Sequence, residues 1–516
     1  MRWNPIRFAI TSVAICLLCV LPFGNYFGVA SWAINVRQGY AQNLHIPPVL
    51  TSTNNLPSQL PSAQRWLNHV QNELLPFWTM PTALGDPIGN FPSVRCNDGT
   101  LLDQNNPCPE IKDHSWLMRN RNYVVSLSRQ IYGYGVAFHL TGDPNYLQYA
   151  KAGVDYLRQN SFDRKHGGTY TSWDGETKSW QPAVEYRNPQ ELAYSLLGIS
   201  FYYYLTRDPE VLPDILAVKD YILKTYYNPR LKALQWQLKD GDKKKALDKR
   251  LTAQLDQMNA YMVLITPILP EPYQAEWKQD LVHISNIMLD QFYSPKENLF
   301  FYSANSPLDR DIQNKKIDFG HTIKAMWMIR MAGLLSDNQT LVKFAEKNGP
   351  KVLKRAYLSK SGSWASEINP GGKLNANKAW WIYAELDQFA ASLALENPSL
   401  ASYLPKTYDY WFKYFVDHKY GEVWNGVDDS TNAPIHDYPK QWPWKNAYHS
   451  LEHALIGYIT TCQFHHEPVI LYYAFKQMPA DNTIRPYFYK GKIDKIEPVT
   501  HQETDSLYRI KFSDIH

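Results

Sequence analysis

Phe162-Asp163-Arg164-Lys165-His166-Gly167-Gly168-Thr169-Tyr170 reads as an aromatic residue, a polar turn and the start of a β-rich pair, and the chain repeats that plan. Phe292-Tyr293-Ser294-Pro295-Lys296-Glu297-Asn298-Leu299-Phe300 follows it, as do Tyr357 through Trp364 and Phe415 through Trp424. With Phe162, Tyr226, Phe292, Tyr357 and Phe415 as markers, the spacings are 64, 66, 65 and 58 residues. A self-similar period of this length marks stacked supersecondary units, none of which can bury its apolar face alone.

Helix-period segments lie between the markers. Inner-type helices are expected at about 117–141, 188–206, 251–268, 318–335, 377–397 and 442–461. Outer-type helices are expected at about 63–79, 145–160, 209–226, 272–293, 339–357 and 400–417. Six pairs that close on themselves give an all-α fold, an (α/α)6 barrel with short β-hairpins between helix pairs. Twelve helices in an open array would give a solenoid. Closure is the expectation, because the candidate site residues all fall on the inner set.

The chain has 516 residues, 44% of them hydrophobic, and no Gly/Ser-rich or highly charged linker divides it. One large helical domain over 63–476 is therefore expected. A Pro/Ser/Asn-rich exposed segment (42–62) precedes it, and a β-rich extension or tail (477–516) follows. Of the net charge of +4, Arg2, Arg7 and Arg37 supply three, so no basic patch remains to hold nucleic acid. Aromatic content is 14%, with 17 Trp and 36 Tyr. Part of that fills a core; a surplus also suits a carbohydrate cleft, where sugar C–H faces stack on rings.

Residues 1–41 read as an export signal. Arg2 and Arg7 precede an apolar run from Phe8 through Leu21, and Gly39-Tyr40-Ala41 offers small residues at −3 and −1 of a cut before Gln42. The expected location is periplasmic or secreted, the alternative being that the apolar stretch stays as a membrane anchor. Cys16 and Cys19 go with the signal. Cys96 and Cys108 close a short Asn/Asp/Gly/Pro-rich loop that export would allow to be disulfide-bonded. No Cys/His group has metal-site spacing.

Three stretches carry the chemistry: Asp-Phe-Gly-His-Thr-Ile-Lys (318–324), Lys-Ala-Trp-Trp-Ile-Tyr-Ala-Glu (378–385) and Trp-Lys-Asn-Ala-Tyr-His-Ser-Leu-Glu (444–452). Each opens an inner helix, and two place a histidine, His321 and His449, in its first turns. Inverting a carbon beside a carbonyl needs two groups that hold or release a proton near neutral pH, and imidazole does so. A cation or donor set must also stabilise the enediolate oxygen. No metal or redox cofactor is intrinsically required.

In order and spacing these stretches resemble the N-acylglucosamine 2-epimerase family, which includes cellobiose 2-epimerases and aldose–ketose isomerases. The resemblance covers most of residues 63–476. It implies His321 and His449 as the acid/base pair, Arg129 on the substrate's carbonyl or ring oxygen, and Trp380 and Trp381 as the sugar platform. Glu385, Lys445 and Tyr448 belong to the same motifs as substrate contacts, and Asn188, Tyr194 and Asn259 are further hydrogen-bonding candidates. The implied substrate is a mono- or disaccharide.

Family members normally show His-x-x-Glu in the first motif and His-x-x-Arg in the last; here these read His321-x-x-Lys324 and His449-x-x-Glu452. Lys324 beside His321 would disfavour imidazolium there. The opposite changes at matching offsets suggest that Lys324 and Glu452 are a charge-swapped ion pair. Two other classes compete with sugar epimerase or isomerase. One is an (α/α)6 glycoside hydrolase or lyase using carboxylates among Glu191, Asp256 and Glu385. The other is a non-catalytic sugar-binding protein.

Overall fold

A computed structural model describes residues 57–238, 246–499 and 507–516. The export signal and most of segment 42–62 lie outside the described residues. Among those described, no helix is long and apolar enough to cross a membrane.

Each of the repeated aromatic–turn–β elements is a hairpin or bridge. Tyr227–Asn228 pairs with Ala233–Leu234, Tyr293–Ser294 with Leu299–Phe300, and Tyr357–Leu358 with Ser363–Trp364, all antiparallel. Single bridges Phe162–Thr169 and Val416–Val423 stand in for two others. Four of the turns share one geometry: Gly167, Asn298, Gly362 and Gly421 each have positive φ and donate their N–H, at 2.8 Å, to the carbonyl four residues back. The repeat seen in sequence is thus a repeated backbone turn that favours Gly or Asn where φ is left-handed, with Lys232 at φ 51° in the same place of the Tyr227–Leu234 hairpin.

Six inner helices form the ring. They are Val124–Thr141, Pro189–Ser195 with Leu197–Thr206, Leu251–Gln257 with its continuation to Ile265, Phe319–Leu335, Trp380–Ala394 and Ala447–Phe464. Each packs on the next, and the sixth packs on the first, so the array closes as a barrel. The closing seam is tight: a Cβ on Gly133 of the first inner helix would sit 2.5 Å from the Cβ of Ala447 on the sixth. The outer helices pack against this ring, the first of them (Ala63–Asn68, running on to Trp78) against the sixth inner helix. The inner helices are buried nearly all round, as a ring sheathed by a second layer must be.

Three inner helices start later than their periodicity suggests. The first begins at Val124 because Arg121–Tyr123 forms a strand on Ser172–Asp174. The fifth begins at Trp380 because Lys378–Ala379 pairs with Gly426–Val427. The sixth begins at Ala447, since Pro443 lacks an N–H and Trp442–Lys445 closes a turn instead. The third is not one straight helix: it passes through a π-helical turn at Met258–Met262 and ends in a 3-10 turn at Thr266–Ile268.

The C-terminal strands Lys492–Val499 and Leu507–Ser513 form an antiparallel sheet with Val469–Tyr473, so this sheet straddles the boundary placed at 476/477. The segment between its strands packs on the inner helices, with Tyr487 bonded to Tyr132 and Tyr489 to Ser392. Cys96 and Cys108 form a disulfide.

Candidate active site

The N-terminal turns of the inner helices surround a cavity of about 460 Å³. Gln190, Thr252, His321, Trp381 and His449 line it from the first turn of the second through sixth inner helices, and Arg129 from the first. Helix N-termini carry partial positive charge, so their convergence favours an anionic oxygen at the centre.

His321 and His449 occupy the same helical position, the third residue after the N-cap. Asp318 caps the fourth inner helix by accepting the His321 N–H at 2.6 Å, and its other oxygen meets His321 Nδ1 at 2.8 Å. Burial opposes a charge on His321, but the Asp318 carboxylate outweighs it and holds the imidazole above its ordinary value. His449 is the reverse. Burial first, then Lys324, Arg129 and His321, hold it well below its ordinary value. Its Nδ1 lies 3.5 Å from Glu385 Oε1 and makes no hydrogen bond. Both rings thus turn Nδ1 to a carboxylate, leaving Nε2 for the cavity. Trp381 packs on both, its ring centre 4.7 Å from that of His321 and 6.2 Å from that of His449. Gly320 makes room for it, since a Cβ there would meet the indole at 2.4 Å.

Arg129 reaches the cavity with its guanidinium 4.1 Å over the Tyr194 ring and Nη1 donating to the Trp444 carbonyl. Its Nε is buried without a protein partner. Trp380 and Trp444 complete the wall beside it.

Several sequence candidates do not reach the cavity. Asn188 is an N-cap, accepting the Glu191 N–H and donating to its carboxylate. Asn259 donates to the Tyr448 hydroxyl at 3.0 Å, and both are buried in the ring. Lys445 is fully buried on Glu422 at 2.9 Å. Glu385 sits one turn below Trp381 and is fully buried. Lys324 does line the cavity, but its partner is Glu385 at 2.6 Å, not Glu452. The charge-swapped pair therefore does not form. Nor does Lys324 discharge His321: Glu385 engages it, and Asp318 supplies the orienting acceptor. Glu452 instead accepts a hydrogen bond from Tyr487 at 2.6 Å, and burial with the nearby Glu385 pushes it up to about 7.

No aspartate or glutamate lines the cavity among the described residues. Asp256 accepts from Gln190 and Tyr194, Glu191 from Thr171 and Asn188, and Glu385 holds Lys324. A hydrolytic carboxylate pair is not assembled. Glu385, His449 and Glu452 do bring three ligand-type atoms within 4.8 Å of one another. The Lys324 ammonium already sits on Glu385 as the cation of that group, which disfavours a second, divalent one.

Residues 110–452 match the family described as N-acylglucosamine 2-epimerase (GlcNAc 2-epimerase). The chain belongs to that family. A cellobiose 2-epimerase of Ruminococcus albus is 24% identical over 342 residues, 63% of this chain and 85% of that one. One from Dictyoglomus turgidum is 23% identical over 343 residues, 63% and 84% of the two chains. The solved cellobiose 2-epimerase of Bacillus thermoamylovorans superposes with a TM-score of 0.63 at 18% identity, covering 77% of this chain and 98% of its own. A solved D-mannose isomerase gives 0.61 at 18%, with the same coverage. These likenesses bear out the (α/α)6 barrel.

Sequence reasoning missed five wall residues, Thr252 in the first turn of the third inner helix among them. Trp236, Arg250 and Tyr302 line the cavity from the connections before and after the third helix pair, with Arg250 4.1 Å over Trp236. Trp236 and Tyr302 each follow a repeated hairpin by two residues, a signal that could have placed them. Gln190 lies two residues after the Asn188 cap. Asp318 was in view within the motif, where an Asp three residues before a helical His is an N-cap pattern.

Proposed function

We propose that this protein is a sugar 2-epimerase or aldose–ketose isomerase that moves one proton at the carbon beside the sugar carbonyl. The supporting observation is a pair of imidazoles in one cavity, one beside the Asp318 carboxylate, which raises its pKa, and the other buried near Lys324 and Arg129, which lower its own. Environments that push two pKa values apart are how a site assigns base and acid. Between the two titrations His449 is bare and His321 is protonated.

In this reading His449 Nε2 takes the C2 proton. The electron pair moves into an enediolate, whose oxygen is met by Arg129 and the converging helix N-termini. His321 then returns a proton to the other face, giving the 2-epimer, and the rings re-equilibrate with water. Return of the proton by His449 to C1 on the same face, with the O2 hydroxyl proton passing to O1 as C2 becomes the carbonyl, gives the ketose instead. Trp380, Trp381 and Trp444 offer stacking surfaces for sugar rings. The relatives named cellobiose 2-epimerase support a disaccharide substrate.

The test is solvent exchange in heavy water across a panel of mono- and disaccharides. Label at C2 that depends on both histidines supports epimerisation, and label that depends on one supports isomerisation. No label with any sugar overturns the proposal. Export to the periplasm or beyond is part of it, supported by the Cys96–Cys108 disulfide. Mature protein beginning at Gln42 is the expected finding, and a cytosolic, full-length protein would contradict it.

A further inference from the structure

The family match ends at Glu452, yet Glu452 is held by a residue 35 positions further on. Tyr487 enters the ring from the C-terminal ends of the inner helices. Its hydroxyl donates to Glu452 Oε1 at 2.6 Å, and the Tyr132 hydroxyl lies 2.9 Å from it. With the Tyr487 proton directed to the carboxylate, Tyr132 is the donor to Tyr487, and the three groups form one directed chain.

Tyr487 has φ 60°, a left-handed backbone that a bulky side chain rarely adopts. The surroundings impose it. The Tyr487 N–H donates to the Tyr204 hydroxyl at 2.8 Å, and the hydroxyls of Tyr204 and Tyr473 both donate to the Arg485 carbonyl. Phe488 stacks on the Tyr487 ring at 3.9 Å. So much fixing of one side chain has its outcome at Glu452. There Oε1 is taken by Tyr487, while Oε2 is buried without a hydrogen-bond partner. A Glu452 carboxylate oxygen, a His449 ring nitrogen and a Glu385 oxygen lie within 4.8 Å of one another, and His449 Nδ1 is 3.5 Å from Glu385 Oε1. The charged and titratable groups that face Glu452 are Glu385, His449, Lys324, Tyr132, Tyr448, Tyr487 and Tyr489.

We propose that the C-terminal segment is part of the site. Tyr487 holds Glu452 against Glu385, and this carboxyl pair keeps the His449 proton on Nδ1, so that Nε2 is bare toward the sugar. Tyr487 and Glu452 are positioning residues acting through His449. The role rests on the proton-transfer reading, but its first test does not.

That test is the imidazole nitrogen NMR spectrum of the whole protein labelled at histidine nitrogens. Wild type is expected to show His449 as one neutral tautomer with the proton on Nδ1. Tyr487→Phe keeps the ring and its stacking, and is expected to leave a tautomer average; Glu452→Gln is expected to do the same, with no further change in the double variant. Tyr473→Phe loosens the same segment at Arg485 without touching Glu452, and is expected to leave the wild-type tautomer. Averaging in the wild type, an unchanged tautomer in Tyr487→Phe, or equal averaging in Tyr473→Phe would each overturn the proposal. On a sugar that exchanges, Tyr487→Phe is expected to lower kcat by up to about a hundredfold with KM unchanged. A protein that exchanges no sugar refutes the proton-transfer reading alone, because the tautomer is read without turnover.

Discussion

The first turn of the fourth inner helix and the first turn of the sixth carry their histidines at the same position, each with Nδ1 toward a carboxylate, yet their environments push the two rings in opposite directions. At His321 the carboxylate is Asp318, bonded at 2.8 Å and, among the described residues, in no ion pair with a lysine or arginine. At His449 it is Glu385, held off at 3.5 Å and already neutralised by Lys324 at 2.6 Å. Exposure adds to the contrast: His321 keeps 22% of its side chain accessible and His449 5%. Helix position fixes where a ring stands; what its carboxylate is already doing fixes whether the ring is charged. The lysine that departs from the family motif serves the second purpose, adding to burial in lowering the His449 pKa.

The largest effects should follow from removing either ring. His449→Asn and His321→Asn should each lower turnover by about 10²- to 10⁴-fold, measured as C2 exchange. Equal, small losses from both would erase the distinction between base and acid. Lys324→Met strips Glu385 of its buried partner and should destabilise the fold by about 3–5 kcal/mol in denaturant unfolding. The same variant removes a charge that lowers His449, so the acid limb of the rate profile should move to higher pH. Asp318→Asn is gentler, since Asn also caps helices well. It removes what holds His321 up, so the alkaline limb should move to lower pH, with a rate loss on the order of tenfold above neutrality and little below it.

The barrel was legible because its repeat is written in backbone requirements: Gly167, Asn298, Gly362 and Gly421 recur where the turn needs positive φ. The helix starts were less so. Strand pairs at Arg121–Tyr123 and Lys378–Ala379 take residues whose side-chain pattern alone continues the helix. In the site, His321, His449, Arg129, Trp380 and Trp381 meet at one cavity as their order suggested. Glu385 shares a helix face with Trp381 but lies about 6 Å further along the axis, and that step carries it from the cavity into the wall. Spacing of four gives direction and not depth. Tyr448, one residue from His449, is turned about 100° away and packs on Asn259. Tyr487 was beyond reach, because nothing local to residue 487 signals a partner at 452.

The most direct test of the opposed histidines is a pH titration of their ring nitrogens by NMR in the resting protein. His321 should titrate above the ordinary imidazole value of about 6.5 and His449 should stay neutral well below it. Two rings titrating together, or in the reverse order, would contradict the account.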